Sequence, residues 1–173
     1  YNGLVSGDTF NGSYTGAFSN ANVGSGKTVN INSSYSGADV NNYTVTDQSS
    51  TTADIAAKAL TATASTANKT YNRSTTATTT LTFTGLVGSE TLGQTVGSTF
   101  DNKNVGTGKT VTVNSITLAD GSGLATNYSI SAGQTTTANV TAKSLTVSGI
   151  TASNKTYDGN TVSTLDASSV AYS

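Results

Sequence analysis

The 173-residue chain carries 8 Lys and Arg against 9 Asp and Glu, a net charge of −1 with only 10% charged residues. It therefore exerts no general electrostatic pull on nucleic acid or anionic lipid. Cys, Met, Trp, His and Pro are absent, which removes disulfides, thiolate chemistry, the commonest general base and the usual zinc ligands, so neither an enzyme nor a resident cofactor or metal is expected. No run approaches the ~18 apolar residues that a membrane span needs. Leu, Ile, Val and Phe together number only 32. With so little net charge, that scarcity argues less for disorder than the wealth of Thr and Val argues for strands. The chain opens on Tyr1 rather than Met, and we expect it to be a mature or excised part of something longer.

In chain order, GLVSGDT (3–9) is followed by FSNANVGSGKTV (18–29), whose Gly-Lys-Thr resembles the end of a phosphate-binding loop. That loop needs a Gly at position 21, where the chain has Ala21, and a helix after the lysine. The residues after Lys27 alternate instead, with Val29 and Ile31 apolar between polar neighbours. The stretch reads as a hairpin connection in which the two glycines permit positive φ. NYTV (42–45) comes next, then TTADIAAKALTATAS (51–65), where Ala53 and Ile55 alternate, then NKTYN (68–72).

The same series then returns. GLV recurs at 85–87, FDNKNVGTGKTV at 100–111 with 9 of 12 positions identical, NYSI at 127–130, TTANVTAKSLTVSG at 136–149 and NKTYD at 154–158. The offsets run only from 82 to 86, so small insertions fall in loops. Val111 with Val113, Ala138 with Val140, and Leu145 with Val147 repeat the period-two pattern of strands with one dry face. Gly- and Asn-rich breaks follow at the cadence of a sandwich or barrel. The predicted fold is all-β: tandem immunoglobulin-like antiparallel β-sandwich repeats of about 85 residues.

Units beginning at the K-x-L-T strand divide the chain into residues 1–58, a repeat lacking its first strands; 59–142, a complete repeat; and 143–173, the first strands of a further repeat. The two end pieces together make 89 residues, close to one period. A sandwich missing two strands exposes an edge and half a core. Residues 143–173 of one copy are therefore expected to complete residues 1–58 of the next, through continuous sequence or strand donation between subunits.

Taken in order, NKTYDGNT (154–161), GLVSGDT, NVGTGKTV, NYT or NYS, and TTANVTAKSLTV resemble the YDG-type and MBG-type repeats of large bacterial adhesins similar to filamentous haemagglutinin. The resemblance implies tandem immunoglobulin-like domains forming an extracellular stalk or fibre at the bacterial surface or secreted from it. It implies no catalytic group. Two departures stand out: KTYNRST (69–75) has Asn72 and Arg73 where Asp-Gly is expected, and the junctions lack the proline that family linkers often carry.

Candidate chemistry is thin. Asp39 and Asp120 lie in equivalent loops and Asp158 in a turn, but no acidic residue has another within two positions, so calcium is not expected and they read as turn formers. Lys58, Lys143, Lys69 and Lys155 recur by repeat and could be considered for Lys–Asn isopeptide bonds beside Glu90, the single Glu; strand-edge lysines that discourage pairing explain them better. Asn-x-Ser/Thr occurs at Asn11, Asn32, Asn42, Asn68, Asn72, Asn127, Asn139 and Asn154, as chance in so Asn-, Ser- and Thr-rich a chain would give. Tyr43 with Tyr128, Tyr71 with Tyr157, and Phe18 with Phe100 read as shared core anchors. The expected function is a structural stalk, its partners neighbouring repeats or copies, with any host or matrix glycan bound by other domains. The alternatives are a carbohydrate- or receptor-binding module and, more remotely, a hydrolase accessory or catalytic domain.

Overall fold

The computed structural model describes residues 3–173; Tyr1 and Asn2, the first two residues of the expected 1–58 unit, lie outside them. The described residues form an all-β structure without α-helix. Strands β1 (Asn11–Phe18), β2 (Gly24–Ser36) and β3 (Ser50–Ile55) come first. They are followed by β4 (Lys58–Ala59), β5 (Thr61–Thr66), β6 (Lys69–Thr70), β7 (Thr76–Ala77) and β8 (Thr79–Thr84). Then come β9 (Leu92–Phe100), β10 (Gly106–Asp120), β11 (Tyr128–Ser129) and β12 (Thr135–Thr141). The chain closes with the short strands β13 (Val147–Ser148), β14 (Thr151–Ala152), β15 (Leu165–Asp166) and β16 (Ala171–Tyr172). Single 3₁₀ turns at Val40–Asn42 and Ala125–Asn127 precede Tyr43 and Tyr128.

β1, β2 and β3 make a three-stranded antiparallel sheet. Between residues 58 and 141 a five-stranded sheet in the order β6-β12-β10-β9-β7 lies against the β5–β8 hairpin. Alternation along β10 and β12 sends Val111, Ala138 and Val140 inward, where they meet Phe100 and Ala77 with Tyr71 packed alongside, and Val113 is buried too. Leu60 and Leu81, from the hairpin layer, are buried too. Removing a Val-sized side chain from water stabilises a fold by roughly 1.5–3 kcal/mol, so this cluster is the main apolar reserve of the molecule.

The expectation of a purely antiparallel sandwich needs correction. β12 pairs with β6 in parallel (Val140 with Lys69, Thr141 with Thr70), and β11 pairs with β4 in parallel (Tyr128 with Lys58, Ser129 with Ala59). After β5 the chain leaves the hairpin layer and joins the large sheet as β6, which brings it beside the last strand running the same way.

The hairpin reading of Gly-x-Gly-Lys also shifts. The connection between β1 and β2 is residues 19–23, and the Gly-x-Gly stretch already belongs to β2. There, and again in β10, the register against the neighbouring strand slips between Gly24 and Lys27 and between Gly106 and Lys109. Only the second glycine of each pair takes positive φ, 58° at Gly26 and 60° at Gly108. The motif is a bulge that bends a strand, not the turn itself.

Candidate functional site

Four polar constellations occur twice, at positions that the sequence repeat equates. The first centres on tyrosine. Tyr128 Oη donates to Glu90 Oε2 and accepts from Val87 N at 3.0 Å. Tyr43 Oη donates to Asp8 Oδ2 at 2.7 Å and accepts from Val5 N at 3.0 Å. Each ring thus ties the loop of a Gly-Leu-Val motif to the segment that follows the 3₁₀ turn. The hydrogen bond to Glu90 raises the Tyr128 phenol above its ordinary 10.0, against a smaller opposing effect of Val87 N.

The second constellation explains Gly-Lys-Thr. The Lys27 ammonium reaches back to Asn20 Oδ1 and Asn22 O, and Lys109 reaches Asn102 Oδ1 at 2.7 Å. In the second copy Asp101 adds an ion pair at 2.7 Å; Ser19 stands there in the first. A Cβ on Gly24 or Gly106 would lie 3.3 or 3.2 Å from the lysine Cδ. The first glycine therefore lets the lysine stem fold across its own strand, and the ammonium is consumed in holding the preceding turn. Neither of these two lysines faces outward for a phosphate.

A third pair of contacts pins the bulge. Gly26 N donates to Asp54 Oδ1 at 2.7 Å, and Gly108 N to Asn139 Oδ1 at 2.8 Å. Asn139 N in turn donates to Asn68 Oδ1 at 2.7 Å, linking β12 to the segment that enters β6. In the fourth, Lys69 Nζ donates to Ser74 O and Thr76 O, while Lys155 Nζ donates to Asn160 O, Val162 O and Asp158 Oδ1. Lys69 lies in β6, an edge strand of the large sheet, and both lysines organise the loop that follows Tyr71 or Tyr157. Lys69 also lies 5.5 Å from the Phe100 ring centre, and Lys58 lies in β4, one strand of a two-stranded sheet. Glu90 is held by Tyr128, and Lys69 and Lys155 by carbonyls, so none of the three is poised for an isopeptide bond.

The loop acids part company. Asp39 Oδ2 accepts from Thr9 N at 2.8 Å, whereas Thr91 N is served by Ser122 Oγ at 2.8 Å and Asp120 Oδ1 accepts from Ala125 N at 2.7 Å. Lys155 holds the Asp158 carboxyl below the ordinary carboxylate range. Among the described residues no three acidic side chains gather as they would around a metal ion.

The aromatic anchors divide by copy. Phe100 is 3% exposed and Tyr128 7%, and Tyr71 packs on the core. Phe18 is 40% exposed and Tyr157 94%. For those two the core assignment is corrected: Phe18 is only partly covered, and Tyr157 stands almost wholly in solvent. Beside Phe18, the apolar face of β1 and β2 is an open groove of about 530 Å³ bordered by Tyr14, Val29, Ile31, Tyr35 and Val45.

One contact was missed in the sequence. Asn127 Oδ1 accepts from Val23 N at 2.9 Å and its Nδ2 donates to Asn22 Oδ1 at 3.1 Å, so the two halves of the chain touch through hydrogen bonds of the Asn127 side chain. The recurrence of Asn42 and Asn127 before tyrosine was the available signal.

These duplicated constellations define an all-β protein written from recurring structural motifs. The sequence profile of the YDG domain matches residues 1–53 and 56–138, and the chain belongs to that family. No curated protein and no solved structure matches it.

Proposed function

We propose that this chain is a length of an extracellular bacterial adhesin shaft or surface fibre, built from tandem immunoglobulin-like repeats of about 85 residues, with a mechanical rather than catalytic role. The observation that carries the reading is the junction. The Asn127 amide bonds to Asn22 and Val23, and Lys58–Ala59 is paired with Tyr128–Ser129. Leu60 N donates to Ser129 O at 2.8 Å, which seats residues 58–60 in the second half, and since β3 ends at Ile55 only residues 56 and 57 lie between the two halves. A shaft needs such couplings, because it transmits orientation only as far as its joints resist bending. The duplicated polar groups point the same way, since each is spent on its own backbone rather than offered to a ligand.

The test is mechanical and chemical together. Under single-molecule stretching the chain should resist as a cooperative unit, and on a glycan array it should stay silent. Sugar binding that disappears when Tyr14 or Tyr35 is replaced would favour the carbohydrate-binding alternative and remove the shaft reading.

A further inference from the structure

The large sheet and the β5–β8 hairpin part along β9. Thr76 and Ala77 of β7 pair with Thr99 and Ser98 of β9, and Phe100 N donates to Thr75 O at 2.8 Å. After Ala77 the chain leaves β9 and continues as β8, which pairs with β5 instead. Had the first ladder run on, its register would set Leu81 opposite Gln94, four residues beyond Ala77 and Ser98 on either strand. The Phe100–Thr75 bond fixes the parity, so in a continued antiparallel ladder Leu81 and Gln94 would exchange their backbone bonds.

One side chain does this instead. Gln94 Oε1 accepts from Leu81 N at 3.1 Å, and Gln94 Nε2 donates to Leu81 O at 2.7 Å. The carboxamide thus gives Leu81 both of the bonds that a neighbouring strand would give. Hydroxyls continue the seam toward β7: Thr79 Oγ1 and Ser98 Oγ lie 2.7 Å apart, and Ser98 Oγ donates to Ala77 O at 3.1 Å. Among the described residues no backbone pairing joins β8 to β9, whereas β10 is laddered to both of its neighbours. The repeat sets Gly12 where Gln94 stands, at the offset of 82 that equates Phe18 with Phe100. The rung therefore belongs to one copy and is not a general feature of the motif series.

We infer that Gln94 latches the β5–β8 layer to the large sheet, and that the seam between β8 and β9 is where residues 58–141 open first. A ladder yields only when several bonds break together, while a rung carried by one carboxamide goes with a single rotamer change. Leu81 and Leu60, 3% and 6% exposed, are the apolar groups that its release opens to water. Such an opening is local, below the cost of unfolding the whole. The inference goes beyond the shaft reading and does not depend on it.

The test is amide hydrogen exchange, followed by NMR on the full chain. In the unmodified protein the Leu81 amide should exchange roughly tenfold or more faster than those of Phe100 and Val113. Gln94→Glu then separates the latch from mere packing. A protonated carboxyl offers one donor and one acceptor, as the carboxamide does; an ionised one only accepts and turns its charge on Leu81 O. Because the latched state favours the protonated form, the latch should hold below about pH 4 and be lost as pH rises above it. Glu90, the nearest acid in sequence, is held by Tyr128 and is common to both proteins. At each pH the variant is compared with the unmodified chain. Protection of Leu81 should match at about pH 4 and fall roughly tenfold in the variant at pH 7, with Phe100 and Val113 unmoved.

A second variant works in the opposite direction. The chain has no cysteine of its own, and Thr79→Cys with Ser98→Cys places two sulfurs where the hydroxyls now touch. Oxidation of that pair should raise Leu81 to the protection of Phe100, and reduction should undo it. Equal protection of Leu81 in Gln94→Glu and in the unmodified chain at pH 7 overturns the inference. So does a loss that is the same at both pH values, or one that extends to Phe100 and Val113.

Discussion

Tyr128 and Tyr43 show what a single hydroxyl does in a chain poor in apolar side chains. Each bonds a carboxylate and a backbone N–H in different loops, so deleting the oxygen leaves two partners unserved. Tyr128→Phe is expected to lower the melting temperature by several degrees, and Tyr43→Phe by less because its surroundings are wetter; differential scanning calorimetry checks both. The Asp101–Lys109 pair makes a prediction about acid. The bond to Lys109 holds the Asp101 carboxyl below its ordinary 3.8, so the folded state binds that proton less tightly than the unfolded state does. Its contribution is present above about pH 4 and is lost as pH falls through the lowered value. Asp101→Asn should therefore flatten the decline in melting temperature between about pH 4 and 2, while leaving Lys109 bonded to Asn102.

At the scale of strands and hairpins, the same sequence pattern produces two outcomes. β2 and β10 both alternate, and both carry the Gly-x-Gly bulge pinned by the side chain at 54 or 139. Only β10 has a hairpin packed over it. Val111→Ala is expected to destabilise the protein by about 2–4 kcal/mol, through lost burial and the cavity left behind. Val29→Ala in dilute monomer should change stability by less than about 1 kcal/mol. Chemical denaturation of the two variants makes the comparison, and equal losses would contradict the assignment of the core to residues 60–140. Gly108→Ala places a side chain at φ 60° and should cost about 1 kcal/mol, in the same assay, with the strand otherwise intact.

For the molecule as a whole, the decisive contact is small. Asn127 joins the halves through two hydrogen bonds, and Asn127→Ala removes both without touching the buried cluster around Val111 and Val140. Folding stability should scarcely move. NMR relaxation should instead show the halves reorienting more independently, and small-angle scattering should show a broader spread of lengths. Unchanged tumbling in the variant would count against a stiff joint and with it against the mechanical reading.

By itself the sequence determined the all-β class, because Thr- and Val-rich alternation at period two admits little else, and it determined the recurrence of motifs, because identical residues return in identical order. It also ruled out a phosphate loop, since Lys27 and Lys109 are followed by strand. Tertiary structure decided the rest. Phe18 and Phe100 have the same local sequence, yet only one is buried, because burial depends on what lies across the sheet and not on the strand that carries the ring. The parallel pairing of β6 with β12 and the reach of Asn127 to Val23 join residues about 70 and 100 positions apart. Contacts over such distances are set by how layers stack, and no local period records them.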